Sequence, residues 1–324
     1  MRNFAQSRAS FMRQRSLLNG FMENVYRVPQ EITSQTAILK LSKSRSFIVK
    51  PTLADPKRAL LYIHGGAMCL SLWKFYLPFV YKLANDTNST VFMPDYRLAP
   101  EFPFPCGLDD CLETFDSLVS SRSFDDIVIV GDSAGGNLAM NLAKVNSDRI
   151  RGVCLLSPWL DLTHTSTFFR TNTADEFVYP ESANKAAWLY VMGDQDWTFG
   201  ANSPQLSHEF HERVRDPLVS PVFADLENLS SVPFLIQASR SERLIGDSVH
   251  LFRRLGGNLT DEDILSDRNS VLTCESGLHR LSLWADQPHV WQITRPKSDT
   301  GKAAFSEIVA FCRKRFQAPA VNLH

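Results

Sequence analysis

One stretch, Gly131-Asp132-Ser133-Ala134-Gly135-Gly136, decides the fold prediction. It follows the apolar run Ile127-Val128-Ile129-Val130 and leads into a helix-like segment from Asn137 to Lys144. A strand, a serine between small residues and then a helix is typical of a nucleophile elbow. The turn is so tight that side chains two residues before and after the serine would collide, which explains glycine at both positions. We therefore expect Ser133 to project into open space above a helix N-terminus.

Strand and helix candidates alternate on both sides of this elbow. The predicted strands are Thr36–Leu41, Phe47–Val49, Ala59–Ile63, Ser89–Met93, Ile127–Val130, Gly152–Leu156, Pro233–Ala238 and Leu281–Trp284. The predicted helices are Leu70–Asn85, Leu108–Leu118, Asn137–Lys144, Ser248–Leu255 and Ala303–Phe316. Such alternation predicts an α/β fold with a mostly parallel central sheet that helices cover on both faces.

Two intervals interrupt the alternation. Residues 161–216 are too long for a connector, so we expect a helical cap insertion, to which residues 1–35 add an N-terminal part. The catalytic domain would then comprise residues 36–160 and 217–324. The polar residues 258–278 are expected to form a surface loop. The aromatic side chains of the cap interval are Phe168, Phe169, Phe177, Trp188, Tyr190 and Trp197, and most of them are expected to pack helices rather than contact substrate.

The composition is that of an ordinary globular protein. With 324 residues, 44% hydrophobic and 21% charged, the chain is long enough for one large core and a smaller lid. With a formal net charge of -1, the chain has no excess of positive charge that would attract a polyanion, so nucleic acid is not an expected partner. The six cysteines show no CxxC pair and no short zinc-binding spacing. We therefore expect free thiols, no metal and no cofactor.

Neither a signal peptide nor a membrane span is predicted. The first 30 residues contain several arginines but no uninterrupted apolar core. We expect them to form an amphipathic helix packed on the fold of a cytoplasmic protein, with a mitochondrial presequence as the open alternative. The longest apolar region, Met68 to Ala84, is interrupted by two lysines and is too short to span a bilayer.

A serine hydroxyl needs a base, and the elbow therefore demands a histidine and an acid further along the chain. In proteins with such an elbow the order along the chain is serine, acid, histidine. His289 follows the last predicted strand directly, where a loop at the carboxyl edge of the sheet would bring it to Ser133. The other histidines after Ser133 fall in the cap interval, inside a helix or before the last predicted strand.

Two acids compete for the partner of His289. Both Glu242 and Asp247 lie in the segment after the strand Pro233–Ala238. Glu242, four residues beyond the strand, is better placed to meet the imidazole. Asp247 directly precedes Ser248–Leu255, where it would serve as a helix N-cap. Glu242 is the preferred acid partner of His289, and Asp247 remains the alternative.

Acyl transfer also needs donors for the oxyanion of a tetrahedral intermediate. The backbone N–H of Ala134 supplies one, and Gly65 and Gly66, directly after the strand Ala59–Ile63, supply the others. Glycine suits that loop because the backbone must approach the substrate without a Cβ in the way. We expect His64 to hold the loop in place by hydrogen bonding.

The chain resembles the hormone-sensitive-lipase branch of the α/β-hydrolases, which includes many carboxylesterases and arylacetamide deacetylase. The resemblance extends from about residue 58 to 316 and rests on several motifs in order. They are His64-Gly65-Gly66, Asp95-Tyr96-Arg97-Leu98-Ala99-Pro100-Glu101, Gly131-Asp132-Ser133-Ala134-Gly135-Gly136-Asn137, Ser157-Pro158-Trp159-Leu160-Asp161-Leu162, Asp216-Pro217-Leu218-Val219-Ser220-Pro221 and Pro288-His289-Val290.

This resemblance implies an α/β-hydrolase fold with a helical cap and the same site residues. Ser133 would be the nucleophile, Glu242 the acid and His289 the general base, with oxyanion donors at Gly65, Gly66 and Ala134. Arg97 and Glu101 would brace the sheet edge. Three positions depart from the family pattern. Ala67 replaces a third glycine, Ser239 replaces a glycine before the acid, and the acid is Glu rather than the commoner Asp.

Three functions remain to be separated. The first is a serine carboxylesterase for small or medium acyl esters, with a small-molecule ester as its partner. The second is an amidase or deacetylase acting on formyl or acetyl substrates, such as a kynurenine formamidase or a steryl acetate deacetylase. The third is a binding protein without activity, as in the plant gibberellin receptors, which resemble this fold but lack the histidine. The family resemblance further implies a homodimer as an option.

Overall fold

The computed structural model describes residues 8–24, 26–121, 123–173, 175, 177–193, 208–266 and 270–317. Within these ranges the chain forms a single nine-stranded sheet. Its strands are β1 (Thr36–Lys40), β2 (Arg45–Val49), β3 (Arg58–Ile63), β4 (Thr90–Asp95), β5 (Asp126–Asp132), β6 (Gly152–Leu156), β7 (Phe234–Ser239), β8 (Leu272–Ser276) and β9 (His279–Trp284). All eight strands expected from the sequence are present, with ends shifted by a few residues.

Helices flank the sheet along the whole described chain. They are α1 (Arg8–Asn24), α2 (Gln30–Ser34), α3 (Trp73–Thr87), α4 (Cys106–Ser120), α5 (Ala134–Val145), α6 (Thr167–Thr171), α7 (Pro180–Met192), α8 (His208–Arg213), α9 (Ile245–Arg254), α10 (Asp261–Leu265), α11 (Trp291–Thr294) and α12 (Asp299–Gln317). Among these described helices, none has both the length and the apolar character needed to cross a bilayer.

The strand order places three loops at one edge of the sheet. The order is β1-β2-β4-β3-β5-β6-β7-β9-β8. The strands from β4 to β9 in this order run parallel, whereas β1, β2 and β8 are antiparallel to their neighbours. Since parallel strands end at the same edge, the segments that follow β5, β7 and β9 meet there.

The central strands are buried on both faces. Along β3, Leu61 and Ile63 face one apolar layer, whereas Leu60 and Tyr62 face the other. A sheet covered on both sides reads as a continuous apolar run instead of an alternating one. This burial holds the strand ends, and therefore the loops beyond them, in fixed positions.

The described part of the interval 161–216 contains three helices, α6, α7 and α8. Residues 194–207, which include Trp197, lie outside the described residues. Trp188 on α7 is buried and packs at 5.1 Å between ring centroids against Phe210 on α8. Helix packing therefore accounts for this pair of aromatic rings, as expected. The division of the chain into a catalytic domain and a cap stays a prediction.

The N-terminal helix α1 packs on α3 and is anchored by two side chains. Phe11 is buried, and Arg15 donates to the carbonyl oxygen of Ala99 at 3.1 Å and pairs with Glu101. Arg97 pairs instead with Asp110 of α4 at 2.9 Å. Arg97 and Glu101 thus tie helices α4 and α1 to the loop after β4, which agrees with the bracing role expected of both residues.

The expectation of a surface loop over residues 258–278 was wrong. The described part of this interval contains α10 and the edge strand β8, which pairs antiparallel with β9. Thr260 and Asp263 form a capping box that starts α10. Since Ser276 pairs with His279, a two-residue turn with Gly277 at φ +57° joins the two strands.

Candidate active site

The turn after β5 has the geometry of a nucleophile elbow. Ser133 has φ +51° and ψ -121°, a region that costs a residue with a Cβ about 1–3 kcal/mol. Its N–H donates to the carbonyl of Leu156 at 3.0 Å, and its carbonyl accepts from the N–H of Trp159 at 2.9 Å. A Cβ at Gly135 would overlap the carbonyl oxygen of Ile63, so only glycine allows β3 to lie this close.

The structure brings Ser133, His289 and Glu242 into one chain of hydrogen bonds. The distance between His289 Nε2 and Ser133 Oγ is 2.9 Å, and that between His289 Nδ1 and Glu242 Oε2 is 2.8 Å. Glu242 is 1% exposed, and its Oε1 accepts the N–H of Ser239 at 3.0 Å. Both oxygens of the carboxylate are therefore engaged, one with the imidazole and one with the strand end that precedes it.

Asp247 is placed elsewhere and has a different set of partners. Its Oδ2 accepts the backbone N–H groups of Leu160 and Asp161 at 2.7 and 2.9 Å. Burial raises the pKa of this carboxyl well above its ordinary value, and the negative charge of Asp161 raises it further. Asp247 also lies within the first turn of α9, which begins at Ile245, so the expectation that it caps the helix was wrong.

The oxyanion loop after β3 is bound to the residue next to the nucleophile. The N–H of Gly65 donates to Oδ1 of Asp132 at 3.0 Å. This bond contradicts the expectation for Gly65, because an N–H that faces a buried carboxylate is not available to a substrate oxygen. Gly66, with φ +121°, and Ala67 follow and line the cavity above Ser133. His64 Nδ1 lies 2.7 Å from the Gly65 carbonyl oxygen, in keeping with its expected part in holding the loop.

Asp132 is the functional residue whose partners sequence reasoning missed. Besides Gly65, it accepts the hydroxyl of Tyr62 at 2.7 Å and that of Tyr76 at 3.1 Å. Burial raises the pKa of Asp132 to about 6, although these three donors act in the opposite direction. Hydrogen bonds to a charged group are worth about 1.5–3 kcal/mol each, so this cluster fixes the loop firmly against the elbow.

A cavity of about 320 Å³ opens above Ser133 and His289. Its walls are mostly apolar, and the only ionisable side chains that the described residues place on them are Asp132, Tyr76, Tyr179 and His289. The segment from Phe177 to Ala183, in the interval 161–216, forms one side, and Phe177 is 50% exposed at the mouth. An uncharged, largely apolar small molecule fits such walls best.

No metal is required to explain the geometry. In the part of the chain that the structure describes, no three His, Cys, Asp or Glu side chains are grouped so as to hold a metal ion. All six cysteines are free, and four of them, Cys69, Cys111, Cys154 and Cys312, are buried. The donors and the base around Ser133 come from the chain itself.

Proteins named as esterases are similar to this chain in sequence. An esterase of Acinetobacter venetianus is 32% identical over 225 residues, which are 68% of this chain and 68% of that protein. A carboxylesterase/phospholipase of Mycobacterium tuberculosis, LipF, is 26% identical over 307 residues, 91% of this chain and 73% of that protein.

Two solved structures are similar over nearly the whole chain. An esterase from the bacterial hormone-sensitive lipase family has a TM-score of 0.73 at 27% identity and covers 97% of this chain and 93% of its own. The esterase EstE5, soaked with p-nitrophenyl butyrate, has a TM-score of 0.73 at 25% identity and covers 94% and 91%. The family model for the alpha/beta hydrolase fold matches residues 60–265. The chain therefore belongs to the α/β-hydrolase family, in its hormone-sensitive-lipase-like branch.

Proposed function

We propose that this chain is a serine hydrolase that cleaves carboxylic esters of small to medium acyl groups through an acyl-enzyme on Ser133. The observation that carries the proposal is the unbroken hydrogen-bond chain from Ser133 through His289 to Glu242 at the base of an apolar cavity. Esterase activity is named for the relatives in sequence and in structure, which supports the same reaction here.

The proposed reaction uses each of these residues in turn. Nε2 of His289 accepts the Ser133 proton as Oγ attacks the ester carbonyl, and the imidazolium then donates that proton to the leaving alcohol. Glu242 holds the imidazole in the tautomer that leaves Nε2 free to accept. Water, activated by His289, releases the acid in the second half of the reaction.

The oxyanion of both tetrahedral intermediates needs N–H donors that are free in the resting protein. We propose Gly66 and Ala134 for this role, because the described residues provide no hydrogen-bond acceptor for either N–H. Gly65 acts as a positioning residue instead, through its bond to Asp132. Ala67 occupies the third position of the loop, where its methyl group narrows the cavity.

The interval 161–216 is proposed to act as the cap of this site. Phe177, Tyr179 and Ala183 line the cavity opposite the sheet edge, so the interval shapes the space that the substrate occupies. None of the described residues of α1 lines this cavity. The N-terminal part of the proposed cap therefore acts indirectly, through its anchoring on α3 and the loop after β4.

The pH dependence of hydrolysis follows from His289. Burial lowers the pKa of its imidazole, but the hydrogen bond to Glu242 and the charge of that carboxylate outweigh burial, so the net shift is upward. Since only the neutral imidazole can accept the Ser133 proton, activity is lost as the pH falls through this pKa. We expect the acid limb of kcat/KM to have its midpoint above about 6.5, the ordinary value for histidine.

A pH series on p-nitrophenyl butyrate measures this limb. The variant His250→Gln, which changes a histidine on α9 outside the cavity, should show the same midpoint. Asp132→Asn should also retain the limb, since Asp132 is not the proton acceptor. A midpoint below 6.5 in the wild type, or a limb that disappears in Asp132→Asn, would contradict the assignment to His289.

A comparison of acyl chains and leaving groups tests the proposed substrate class. We expect the highest kcat/KM for p-nitrophenyl esters between acetate and octanoate and at least about a tenfold lower value for palmitate, because the cavity lies at the small end of ligand pockets. N-formylkynurenine, measured beside them, tests the amidase alternative. A kcat/KM for the formyl amide above that of every ester would replace the esterase proposal.

A further inference from the structure

A second and larger cavity lies outside the Ser133 site, in a groove between helices α3 and α12. The two helices run side by side, since Phe79 packs edge-to-face on Phe305 at 5.4 Å and Arg313 donates through Nε to the Asp86 carbonyl at 2.6 Å. The groove along these helices and the segment of residues 293–297 encloses about 890 Å³. This volume lies in the range of pockets that hold drug-sized ligands.

The floor of the groove is apolar and aromatic. Phe75 and Phe79 of α3 line it together with Phe305 and Val309 of α12, and Phe79 and Phe305 are in contact at its base. Nζ of Lys82 lies 4.4 Å from the centre of the Phe305 ring, so one face of that ring is covered by a cation. From Phe75 to Asp86 the wall of α3 extends about 16 Å at the helical rise per residue. A groove of this length and character suits an extended alkyl chain more than a compact polar ligand.

The rim of the groove is cationic. Among the described residues, four basic side chains line it, namely Lys82, Lys297, Lys302 and Arg313, against the single carboxylate of Asp86. That carboxylate is already paired with Lys82. In the same described part of the chain, no carboxylate lies within ion-pair distance of Lys297. Lys302 pairs with Asp299 at 3.4 Å, but both side chains are exposed to solvent, so this pair is weak. Uncompensated positive charge is thus greatest at the Lys297 and Lys302 end.

This end of the groove adjoins the cavity above Ser133. Phe75, Ile293 and Thr294 line both cavities, so they form a shared wall. Ile293 is buried, whereas Thr294 is exposed. A ligand in the groove would therefore lie beside the Ser133 cavity without contacting Ser133 or His289.

We propose that the groove between α3 and α12 binds a fatty acid, with its carboxylate between Lys297 and Lys302 and its alkyl chain along Phe79 and Phe305 towards Arg313. A neutral lipid would leave Lys297 without an anionic partner, and a compact polyanion would leave the aromatic floor exposed to water. The proposal does not depend on ester hydrolysis at Ser133, since it concerns binding alone.

The binding experiment uses the full chain with Ser133→Ala, so that no turnover interferes. Myristate, titrated calorimetrically at low salt, is expected to bind, and myristyl alcohol to bind about tenfold more weakly because it lacks the charge. Lys297→Ala with Lys302→Ala should weaken myristate binding by about tenfold or more. Ala310→Trp, an exposed position inside the groove, should abolish binding by filling the path of the chain.

Two controls separate binding in the groove from binding elsewhere on the protein. Lys314→Ala removes a neighbouring charge of α12 outside the groove and should leave the affinity for myristate unchanged. If the double variant Lys297→Ala with Lys302→Ala binds myristate as tightly as the protein with both lysines, the proposal is wrong. If Ala310→Trp still binds myristate and Ala183→Trp, which fills the Ser133 cavity, does not, then the acid occupies the Ser133 cavity and the proposal is wrong. Hydrolysis of p-nitrophenyl butyrate by the groove variants with Ser133 intact reports separately on the proposed function.

Discussion

Ser133→Ala is expected to lower kcat for p-nitrophenyl butyrate by about a million-fold, the loss that removal of a catalytic serine causes in a serine protease. The variant loses the oxygen that His289 Nε2 approaches at 2.9 Å, and no other hydroxyl is hydrogen-bonded to that nitrogen in the described chain. The binding walls are unchanged, so KM should change far less than kcat. Steady-state kinetics and the thermal unfolding midpoint, measured together, check this result.

Ser182→Ala is the matched control for this change. Ser182 lines the same cavity but lies on α7, apart from the hydrogen-bond chain of His289. We expect its kcat to stay within about threefold of the wild type, because its hydroxyl takes no part in the proton transfer between Ser133 and His289. An equal loss in both variants would show that the cavity, and not the Ser133 hydroxyl, is what the substitutions damage.

Glu242→Gln is expected to lower kcat by about ten-thousand-fold, as the corresponding change of a triad acid to its amide does in a serine protease. The amide NH₂ would favour the imidazole tautomer with its proton on Nε2, which cannot accept from Ser133. The pKa of His289 should fall as well, because the hydrogen bond and charge of Glu242 are what raise it. The acid limb of any residual activity should therefore move to lower pH.

Asp247→Asn separates the two acids that the sequence left open. Its carboxylate serves the backbone N–H groups of Leu160 and Asp161, so an amide oxygen can replace it as acceptor. We expect kcat within about threefold of the wild type and at most a modest loss of stability, of about 1 kcal/mol. The reverse pattern, with a large kcat loss in Asp247→Asn and a small one in Glu242→Gln, would reassign the acid.

Local sequence was sufficient to predict the elbow and the positions of His289 and Glu242, which lie in the segments directly after two strands. Gly131 is required by the turn itself, because a Cβ there would meet the carbonyl oxygen of Gly135. Gly135 is required in addition by the close approach of Ile63 on β3. His289 and Glu242 could be predicted because each follows a strand, and parallel strands end at one edge of the sheet. Spacing favoured Glu242 over Asp247 but could not exclude Asp247, since the choice depends on the path of the loop after β7.

Hydrogen bonds between residues far apart along the chain could not be predicted from the sequence. The donors to Asp132 come from Gly65, Tyr62 and Tyr76, which are 56 to 70 residues away along the chain. No local sequence pattern therefore indicates that the Gly65 N–H is already hydrogen-bonded. The hairpin of β8 and β9 is different, because its signal was present. A glycine in a two-residue turn followed by an apolar strand is typical of a hairpin, and the polar residues before it obscured that pattern.

The position of the covalent intermediate tests the central claim most directly. Wild-type protein, treated with a fluorophosphonate and digested, should yield by tandem mass spectrometry one phosphonylated peptide, modified on Ser133. Heat-unfolded protein and His289→Ala should show no adduct, because the hydroxyl is activated only by the folded hydrogen-bond chain. An unmodified native protein, or an adduct on any residue other than Ser133, would contradict the assignment of this site.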